Sequence, residues 1–293
     1  MHPRGADGHL VKHQPFLRAF VSPAALCAFA FLAAMAAVLQ YSVRTSIPGS
    51  LEPGGFTLAN FAALMKPLYA RVFTDTVWIC FLTAFFTLIV GYPLAYALVH
   101  VQNKLVKSFI LIVVVTPLFL GEVVRTYAWI VVLGSNGFIN SVLLKLGVVA
   151  QPVQFMFTQF GVVVALVHVT MPVMVIILAA ALSHIERNYQ RAAESLGAGP
   201  IRAFTTVTLP LSMPGIIAGT TTAFAWTFSA FATPQLIGGG RVNMISNLVY
   251  QLGFASFDFP FAATLCVAGL ALVAVILLLM RATMRQLEKI GPH

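Results

Sequence analysis

Long stretches without a charged residue constrain this chain more than any other feature. Six of them run over residues 19–43, 76–103, 126–144, 146–185, 203–240 and 259–280. A helix that crosses the roughly 30 Å hydrocarbon core of a bilayer needs about 20 mostly apolar residues, so each stretch is long enough to hold such a helix. Only 9% of the residues are charged, whereas a soluble domain typically has about 25%. The chain is therefore predicted to be an all-α, polytopic membrane protein surrounded by lipid.

Turn and polar residues divide these stretches into six predicted transmembrane helices. The helices are expected at residues 18–41, 76–99, 107–133, 159–182, 214–237 and 260–281. They form one membrane domain, residues 18–285, between an N-terminal tail of residues 1–17 and a C-terminal tail of residues 286–293. A hydrophilic loop of residues 183–213 separates the fourth and fifth of these helices.

The distribution of Lys and Arg predicts the orientation of the chain. Eleven of these residues lie in the segments on the N-terminal side of the membrane and five in those on the opposite side. Because cytoplasmic loops carry an excess of Lys and Arg, both termini and the loop 183–213 are predicted to be cytoplasmic. The net charge of +9 then reflects topology, and no nucleic-acid binding is expected.

The first half of the loop 183–213 has the pattern of an amphipathic helix. Ser183 and Glu186 fit a capping box, which predicts that the helix begins there. Arg191 and Glu194 are spaced to pair on its polar side. The apolar side is a stripe at helical spacing that comprises Ile185, Tyr189, Ala192 and Leu196.

The second half of the loop is punctuated by glycine and proline. Gly197 predicts the end of the first helix, since glycine readily adopts the left-handed conformation found there. Pro200 is suited to open a second short helix that carries Phe204. Pro210 closes the segment before the fifth membrane helix. The expected product is a helix, a glycine turn and a second helix on the cytoplasmic side.

Motifs of soluble enzymes are absent from the sequence. It contains no GxxxxGK[ST] phosphate-binding loop, no HExxH and no GxSxG. Its three cysteines lie singly in different apolar stretches, so no zinc site or disulfide framework is expected. The chain is predicted to be neither an enzyme nor an ATP-binding protein.

The loop also carries a family signature. RAAESLG at residues 191–197 is followed by nine residues and then by VTLP at residues 207–210. This pattern resembles the EAA loop of inner-membrane permeases of binding-protein-dependent ABC importers, written EAA, three residues, G, nine residues, I, one residue, LP. Arg191 stands where the signature has Glu.

Three further blocks, at residues 116–147, 231–240 and 247–265, resemble the spermidine/putrescine branch of these permeases. The resemblance implies a type I ABC importer permease fold and a bacterial inner-membrane location. It also implies that the loop couples the membrane helices to a separate cytoplasmic ATPase dimer, which uses the ATP. The residues expected to carry this coupling are Tyr189, Arg191, Ala192, Ala193, Glu194, Gly197, Phe204 and Pro210. A second, related permease subunit in a heterodimer and a periplasmic or extracellular solute-binding protein are the other expected partners.

Ionisable residues at membrane depth are candidates for function because their burial is costly. Glu122 and Arg125, one helical turn apart, are expected either to form a structural ion pair or to belong to a cation pathway. The residues of that pathway are expected to be Glu122, Arg125, Tyr127, Trp129, Trp226 and Asp258. His168 is interpreted as a hydrogen-bonded packing residue. Gly215 and Gly219 form a GxxxG pattern that predicts close helix packing.

Two alternatives remain open from the sequence. The same machinery can import another small solute, such as ferric ion or another organic cation or anion. An ion-coupled secondary transporter is a less favoured alternative, because the spans contain few ionisable groups and the cytoplasmic loop would have no role.

Overall fold

The computed structural model of the chain describes residues 14–47, 50 and 52–290, and these residues are almost entirely helical. A single β-bridge joins Arg44 and Phe56 outside the helices. The helices are α1 Gln14–Ser42, α2 Ala59–Ala63, α3 Pro67–His100, α4 Lys104–Phe119, α5 Glu122–Leu133, α6 Phe138–Lys145, α7 Gln159–Ser183, α8 Arg187–Ser195, α9 Pro200–Ala203, α10 Leu209–Leu211, α11 Met213–Phe228, α12 Ala232–Gly238, α13 Ile245–Tyr250 and α14 Phe259–Ile290. Phe204–Thr208 and Gln251–Ala255 form π-helical turns.

Within the described residues, five segments are long and apolar enough to cross a membrane. They are Val21–Ser42, Pro67–His100, Glu122–Lys145, Gln159–Ser183 and Phe259–Ala282. A sixth is formed when Pro200–Leu211 and Met213–Phe228, which are bent by 63° at their junction, count as one span. The predicted all-α, polytopic class is confirmed.

The predicted third helix, 107–133, is wrong as a continuous element. It is broken at Leu120 and Gly121 into α4 and α5. Pro117 cannot donate a backbone hydrogen bond, which weakens the last turn of α4. Gly121 then takes an extended conformation, with ψ at 149°, and α5 begins at Glu122.

The predicted fifth helix, 214–237, is also interrupted, because α11 ends at Phe228 and α12 begins at Ala232. In a continuous helix the ring of Pro234 would clash with the Ala230 carbonyl, and that carbonyl would lack a hydrogen-bond donor because proline has no N–H. The break instead puts Pro234 in the first turn of α12, where no donor is needed. The freed Ala230 carbonyl accepts a 2.6 Å hydrogen bond from Ser246 Oγ.

The ends of the membrane domain differ from the prediction as well. Residues 1–13 and 291–293 of the two expected tails lie outside the described part of the chain. Helix α1 begins at Gln14, and α14 continues to Ile290. Helix α14 therefore continues into the predicted C-terminal tail, whereas its apolar span ends at Ala282, close to the predicted end at residue 281.

The core of the molecule is a bundle of α3, α7 and α11. Its buried side chains include Ile79, Leu178 and Phe224. Thr87 and Thr170 form a buried 2.9 Å hydrogen bond between α3 and α7. Helix α1 lies outside this bundle and packs along α14. The predicted loop 183–213 connects α7 to α11 and so joins two of the three core helices.

Candidate functional site

The loop between α7 and α11 begins with a well-defined helix end, but not with the predicted capping box. Ser183 belongs to the last turn of α7, and its Oγ donates a 2.7 Å hydrogen bond to the Ala180 carbonyl. Helix α8 begins at Arg187, and its N-cap residue, Glu186, has an extended conformation. The capping-box prediction is therefore wrong, because the Ser183 hydroxyl bonds to the turn before it.

Gly197 ends α8 in the left-handed conformation, as predicted, with φ at +88°. Its N–H donates to the Glu194 carbonyl at 2.9 Å, and the Ala198 N–H donates to the Ala193 carbonyl at 3.1 Å. These two bonds form a Schellman motif, which satisfies carbonyls left free at the helix end. A Cβ atom on Gly197 would have no heavy atom within 4 Å. Its backbone conformation, and not lack of space, is therefore what requires glycine.

The apolar face of the loop is exposed to solvent. Leu196 is 90% exposed, Ile201 is 80% exposed and Tyr189 is 55% exposed. Of the predicted stripe, only Ile185 packs against the core of the chain. Three large apolar side chains on a helix–glycine–helix segment are thus available to a partner.

The predicted pairing of Arg191 with Glu194 is wrong. Both residues are exposed, and the one salt bridge among the described residues joins Arg71 and Asp75 at 3.9 Å. Arg191 and Glu194 are therefore exposed and have no ionic partner among the described residues.

The second half of the loop is anchored to the C-terminal end of α3. Phe204 packs edge-on against Tyr92 and Tyr96, with ring centroids 5.8 Å and 5.6 Å away. It begins the π-helical turn, in which the Leu209 N–H bonds to the Phe204 carbonyl. This turn is wider than an α-helical turn because of Pro210, which follows it. Pro210 has no N–H for an α-helical hydrogen bond, and its ring crowds the carbonyl in the preceding turn.

Sequence reasoning missed this anchor. The available signal was the spacing of Tyr92, Tyr96 and His100, which places three rings on one face of α3. At the other end of the loop, Arg187 Nη2 donates to the His100 carbonyl at 3.4 Å. The same end of α3 therefore contacts both halves of the loop.

Among the described residues, no hydrogen bond, ion pair or ring contact joins the predicted pathway residues to one another. Glu122, Arg125, Tyr127 and Trp129 lie on α5, Trp226 lies on α11, and Asp258 precedes α14. Asp258 Oδ1 accepts from the Phe261 N–H at 3.1 Å and caps α14. The described chain has a lipid-level groove of about 500 Å³ beside α1 and α14, but none of these six residues lines it.

The expected ion pair of Glu122 and Arg125 is wrong. Glu122 is exposed, whereas Arg125 is only 9% exposed and donates from Nη1 to the Pro117 carbonyl at 3.0 Å. This bond joins α5 to the end of α4. The backbone carbonyls at the C-terminus of a helix carry partial negative charge and therefore stabilise a cation there. The Nε atom of Arg125 is buried and has no hydrogen-bond partner among the described residues.

His168 has the hydrogen-bonded packing role that was predicted for it. Its Nδ1 accepts a 3.2 Å hydrogen bond from Trp129 Nε1. This bond joins α7 to α5. No group of three or more His, Cys, Asp or Glu side chains in the described part of the chain is arranged to hold a metal ion.

Comparison with known proteins identifies the family. Residues 55–289 match the family described as the inner membrane component of binding-protein-dependent transport systems. The chain belongs to this family. The match spans the core bundle and the whole of the loop 183–213 and excludes α1.

Curated relatives of the permease include spermidine/putrescine transport system permease proteins PotB. The protein from Escherichia coli strain K12 is 30% identical over 234 residues, which cover 80% of this chain and 85% of the relative. The protein from Haemophilus influenzae strain Rd is 29% identical over 240 residues, which cover 82% and 84% of the two chains. A bacterial alginate ABC transporter, solved with a periplasmic protein that carries an alginate pentasaccharide, has a chain of the same fold. The TM-score is 0.80 at 20% identity, over 96% of this permease and 98% of that chain.

These matches confirm that the chain is a multi-pass permease subunit of an ABC importer with the type I fold, and that it is not an enzyme. The alternative of an ion-coupled secondary transporter is excluded by the family. Sequence reasoning therefore identified the class correctly, although it misplaced the helix cap and both ion pairs of the candidate sites.

Proposed function

We propose that this permease couples solute import to a separate cytoplasmic ATPase dimer through the exposed apolar face of Tyr189, Leu196 and Ile201. One observation carries the proposal: these side chains are exposed on a loop whose other side is packed against the core. An amphipathic helical segment of this kind fits a hydrophobic groove on a partner. ATP is then bound and hydrolysed by the partner and not by this chain.

The remaining predicted coupling residues fit this role. Ala192 and Ala193 are small enough for close approach of a partner, and Gly197 sets the angle between α8 and α9. Arg191 and Glu194 are exposed and are both available to the ATPase. Because Glu194 keeps an acid within one turn of the position that Arg191 occupies, it is the better candidate for a charge-specific contact.

Docking of an ATPase on this face also implies an orientation of the permease in the membrane and a set of partner subunits. An ATPase docks on the loop only when the loop is cytoplasmic, which places both termini in the cytoplasm as the Lys and Arg distribution predicts. A solute-binding protein then delivers solute to the opposite side of the inner membrane. A second, homologous permease subunit completes the pathway in a heterodimer.

The solute that we propose is a polyamine-like cation. The names of the PotB relatives support this choice, since they are spermidine/putrescine permeases. Glu122, Tyr127, Trp129, Trp226 and Asp258 supply carboxylate and aromatic groups suited to a cation. Glu122, Tyr127 and Trp226 are exposed on this chain, which leaves them free to face the second permease subunit across the pathway.

An anionic solute is a second candidate, and one observation favours it. The buried guanidinium of Arg125 has no carboxylate partner among the described residues. A buried positive charge of this kind disfavours a nearby cation and favours an anion.

Charged substitutions in the apolar face test the docking proposal. Leu196→Glu and Ile201→Glu are each expected to abolish co-purification of the ATPase with the permease, because a carboxylate would be buried in an apolar groove. The measurement is the amount of ATPase recovered with affinity-tagged permease in detergent. Met65→Glu is the matched control, since Met65 is 83% exposed but precedes α3 on the opposite side of the membrane.

The three variants separate docking from general damage. Met65→Glu is expected to recover as much ATPase as the unchanged permease. Normal recovery with both loop variants would overturn the proposed docking face and, with it, the proposed orientation.

A further inference from the structure

The bend between the loop and α11 lies at one residue, Ser212. Helix α10 ends at Leu211 and α11 begins at Met213, and the two segments that meet there are bent by 63°. The Ser212 side chain is fully buried. Its Oγ donates a 2.9 Å hydrogen bond to the Leu209 carbonyl. Ser212 therefore holds the last turn of the loop on one side of the bend.

Tyr92 of α3 contacts the same serine. Its hydroxyl lies 2.9 Å from Ser212 Oγ, and the two residues are 120 positions apart in sequence. A serine hydroxyl has a single proton, and that proton is directed to the Leu209 carbonyl. Tyr92 is therefore the donor and Ser212 the acceptor, which makes a chain of two hydrogen bonds from α3 to the loop.

The surrounding contacts join α3 to the same part of the loop. The ring of Tyr92 packs edge-on against Phe204 at the start of the π-helical turn. One turn further along α3, Tyr96 also packs edge-on against Phe204 and stacks on His100 at 4.0 Å. The hydroxyl of Tyr96, in contrast, makes no hydrogen bond with any described residue. Of the residues that the structure describes, only Tyr92 therefore connects α3 to the bend through a polar contact.

We infer that Tyr92 is a positioning residue, which holds the bend at Ser212 against α3 so that displacement of the loop moves α3 and α11 together. The inference rests on the proposed function, in which the ATPase displaces the loop. Pro93 follows Tyr92 directly and leaves a carbonyl of α3 without its helical donor, so α3 is locally weakened next to the contact. Without the Tyr92 hydrogen bond, the loop moves while α3 follows less closely.

Tyr92→Phe tests the inference because it removes the hydroxyl and keeps the ring against Phe204. Tyr96→Phe is the matched control, since it removes a hydroxyl that has no described partner on the same face of α3. Each variant is purified with its ATPase and reconstituted with the solute-binding protein. The readouts are ATPase recovery, the rate of ATP hydrolysis and the amount of solute imported per ATP.

Tyr92→Phe is expected to recover a normal amount of ATPase and to import roughly threefold to tenfold less solute per ATP, as the loss of one buried hydrogen bond predicts. Tyr96→Phe is expected to keep the normal ratio. A normal ratio in Tyr92→Phe, or an equal loss in both variants, would overturn the inference.

Ser212→Ala provides a second approach if Tyr92→Phe does not accumulate in the membrane. It is expected to lower the ratio at least as far as Tyr92→Phe, and the double variant to lower it no further than Ser212→Ala. Fully additive losses would show that the two hydroxyls act independently and would overturn the inference. Failure of the unchanged permease to recover any ATPase would instead overturn the proposed function, so the two failures are distinguishable.

Discussion

At the scale of single residues, Gly197 shows how a local conformation defines the candidate coupling loop. Its φ of +88° is strained for residues with a Cβ atom, at a cost of roughly 1–2 kcal/mol. The surrounding space is empty, so a substitution acts on the direction of the chain and not on packing. The angle between α8 and α9, and hence the shape of the apolar face, depends on this residue.

Gly197→Val is therefore expected to leave the permease in the membrane but to lower ATPase recovery and uptake by at least tenfold. The reason is that a β-branched residue at this φ redirects α9 away from the docking geometry. Gly199→Val is the control, because Gly199 is also in open space but has a φ of −66° that any residue adopts. Uptake assays in membrane vesicles measure both. Equal effects of the two substitutions would show that the left-handed turn is not the cause.

Residues of this kind differ in how far sequence predicts them. Gly197 was predictable because its role depends on its immediate neighbours in α8. The partner of Arg125 was not, since the Pro117 carbonyl is available only because α4 ends there. The contact of Tyr92 with Ser212 joins positions 120 residues apart, and no local pattern indicates such a pairing.

At the scale of helices, the apolar stretches located the membrane segments but not their breaks. Hydropathy is averaged over about 19 residues, and the breaks at Gly121 and before Ala232 occupy only two or three. Both breaks lie near a proline, Pro117 or Pro234. However, Pro93 and Pro172 lie inside unbroken α3 and α7, so a proline alone does not predict a break. Polar contacts from other helices decide the outcome, such as the one from Ser246 to the Ala230 carbonyl.

The GxxxG pattern correctly predicted a close-packing face on α11, and the structure shows that this face packs against α7. A Cβ atom added to Gly215 would collide with the side chain of Ala181, which is fixed to the α7 backbone. A Cβ atom added to Gly219 would instead meet the sulfur of Met174, at the flexible end of its side chain. The two glycines therefore tolerate a methyl group to different degrees.

Gly215→Ala is expected to destabilise the purified permease by about 1–3 kcal/mol, because α11 must move away from α7. Gly219→Ala is expected to cost less, since Met174 can change its conformation. Gly121→Ala is the control, as its added methyl group meets no atom within 4 Å. The thermal unfolding midpoint in detergent measures all three. A larger decrease for Gly219→Ala than for Gly215→Ala would contradict the packing argument.

At the scale of the whole molecule, the distribution of apolar side chains is the reverse of that in a soluble protein. Large exposed residues cover α1 and much of α3, α4 and α5, among them Phe29, Phe85, Phe109 and Val131. In water such a surface would aggregate. In this permease it is covered by lipid and, in the proposed heterodimer, by the second subunit. Composition alone predicted this lipid-facing apolar surface.

The solute was harder to predict because no contact among the described residues joins the pathway residues to one another. The carboxylate of Glu122 favours a cationic solute, whereas the guanidinium of Arg125 favours an anionic one. Their environments also differ, because Glu122 is exposed and Arg125 is buried against the end of α4. An exposed carboxylate at the break between α4 and α5 is free to contact a solute. The guanidinium of Arg125, in contrast, already donates a hydrogen bond to the Pro117 carbonyl, which favours a structural role for Arg125. A cation is therefore the favoured solute.

Glu122→Gln is therefore expected to lower polyamine uptake by about tenfold, which corresponds to about 1.4 kcal/mol, because the carboxylate no longer attracts the ammonium groups. Asp75→Asn is the control, since Asp75 is already paired with Arg71 at 3.9 Å. Uptake of labelled spermidine by vesicles that contain the complete transporter measures both variants. If the solute is an anion, the unchanged transporter imports no spermidine, and Glu122→Gln leaves the uptake of that anion unchanged or raises it. Unchanged spermidine uptake in Glu122→Gln would remove Glu122 from the cation pathway, because neutralising a carboxylate that contacts a polyamine cannot be without effect.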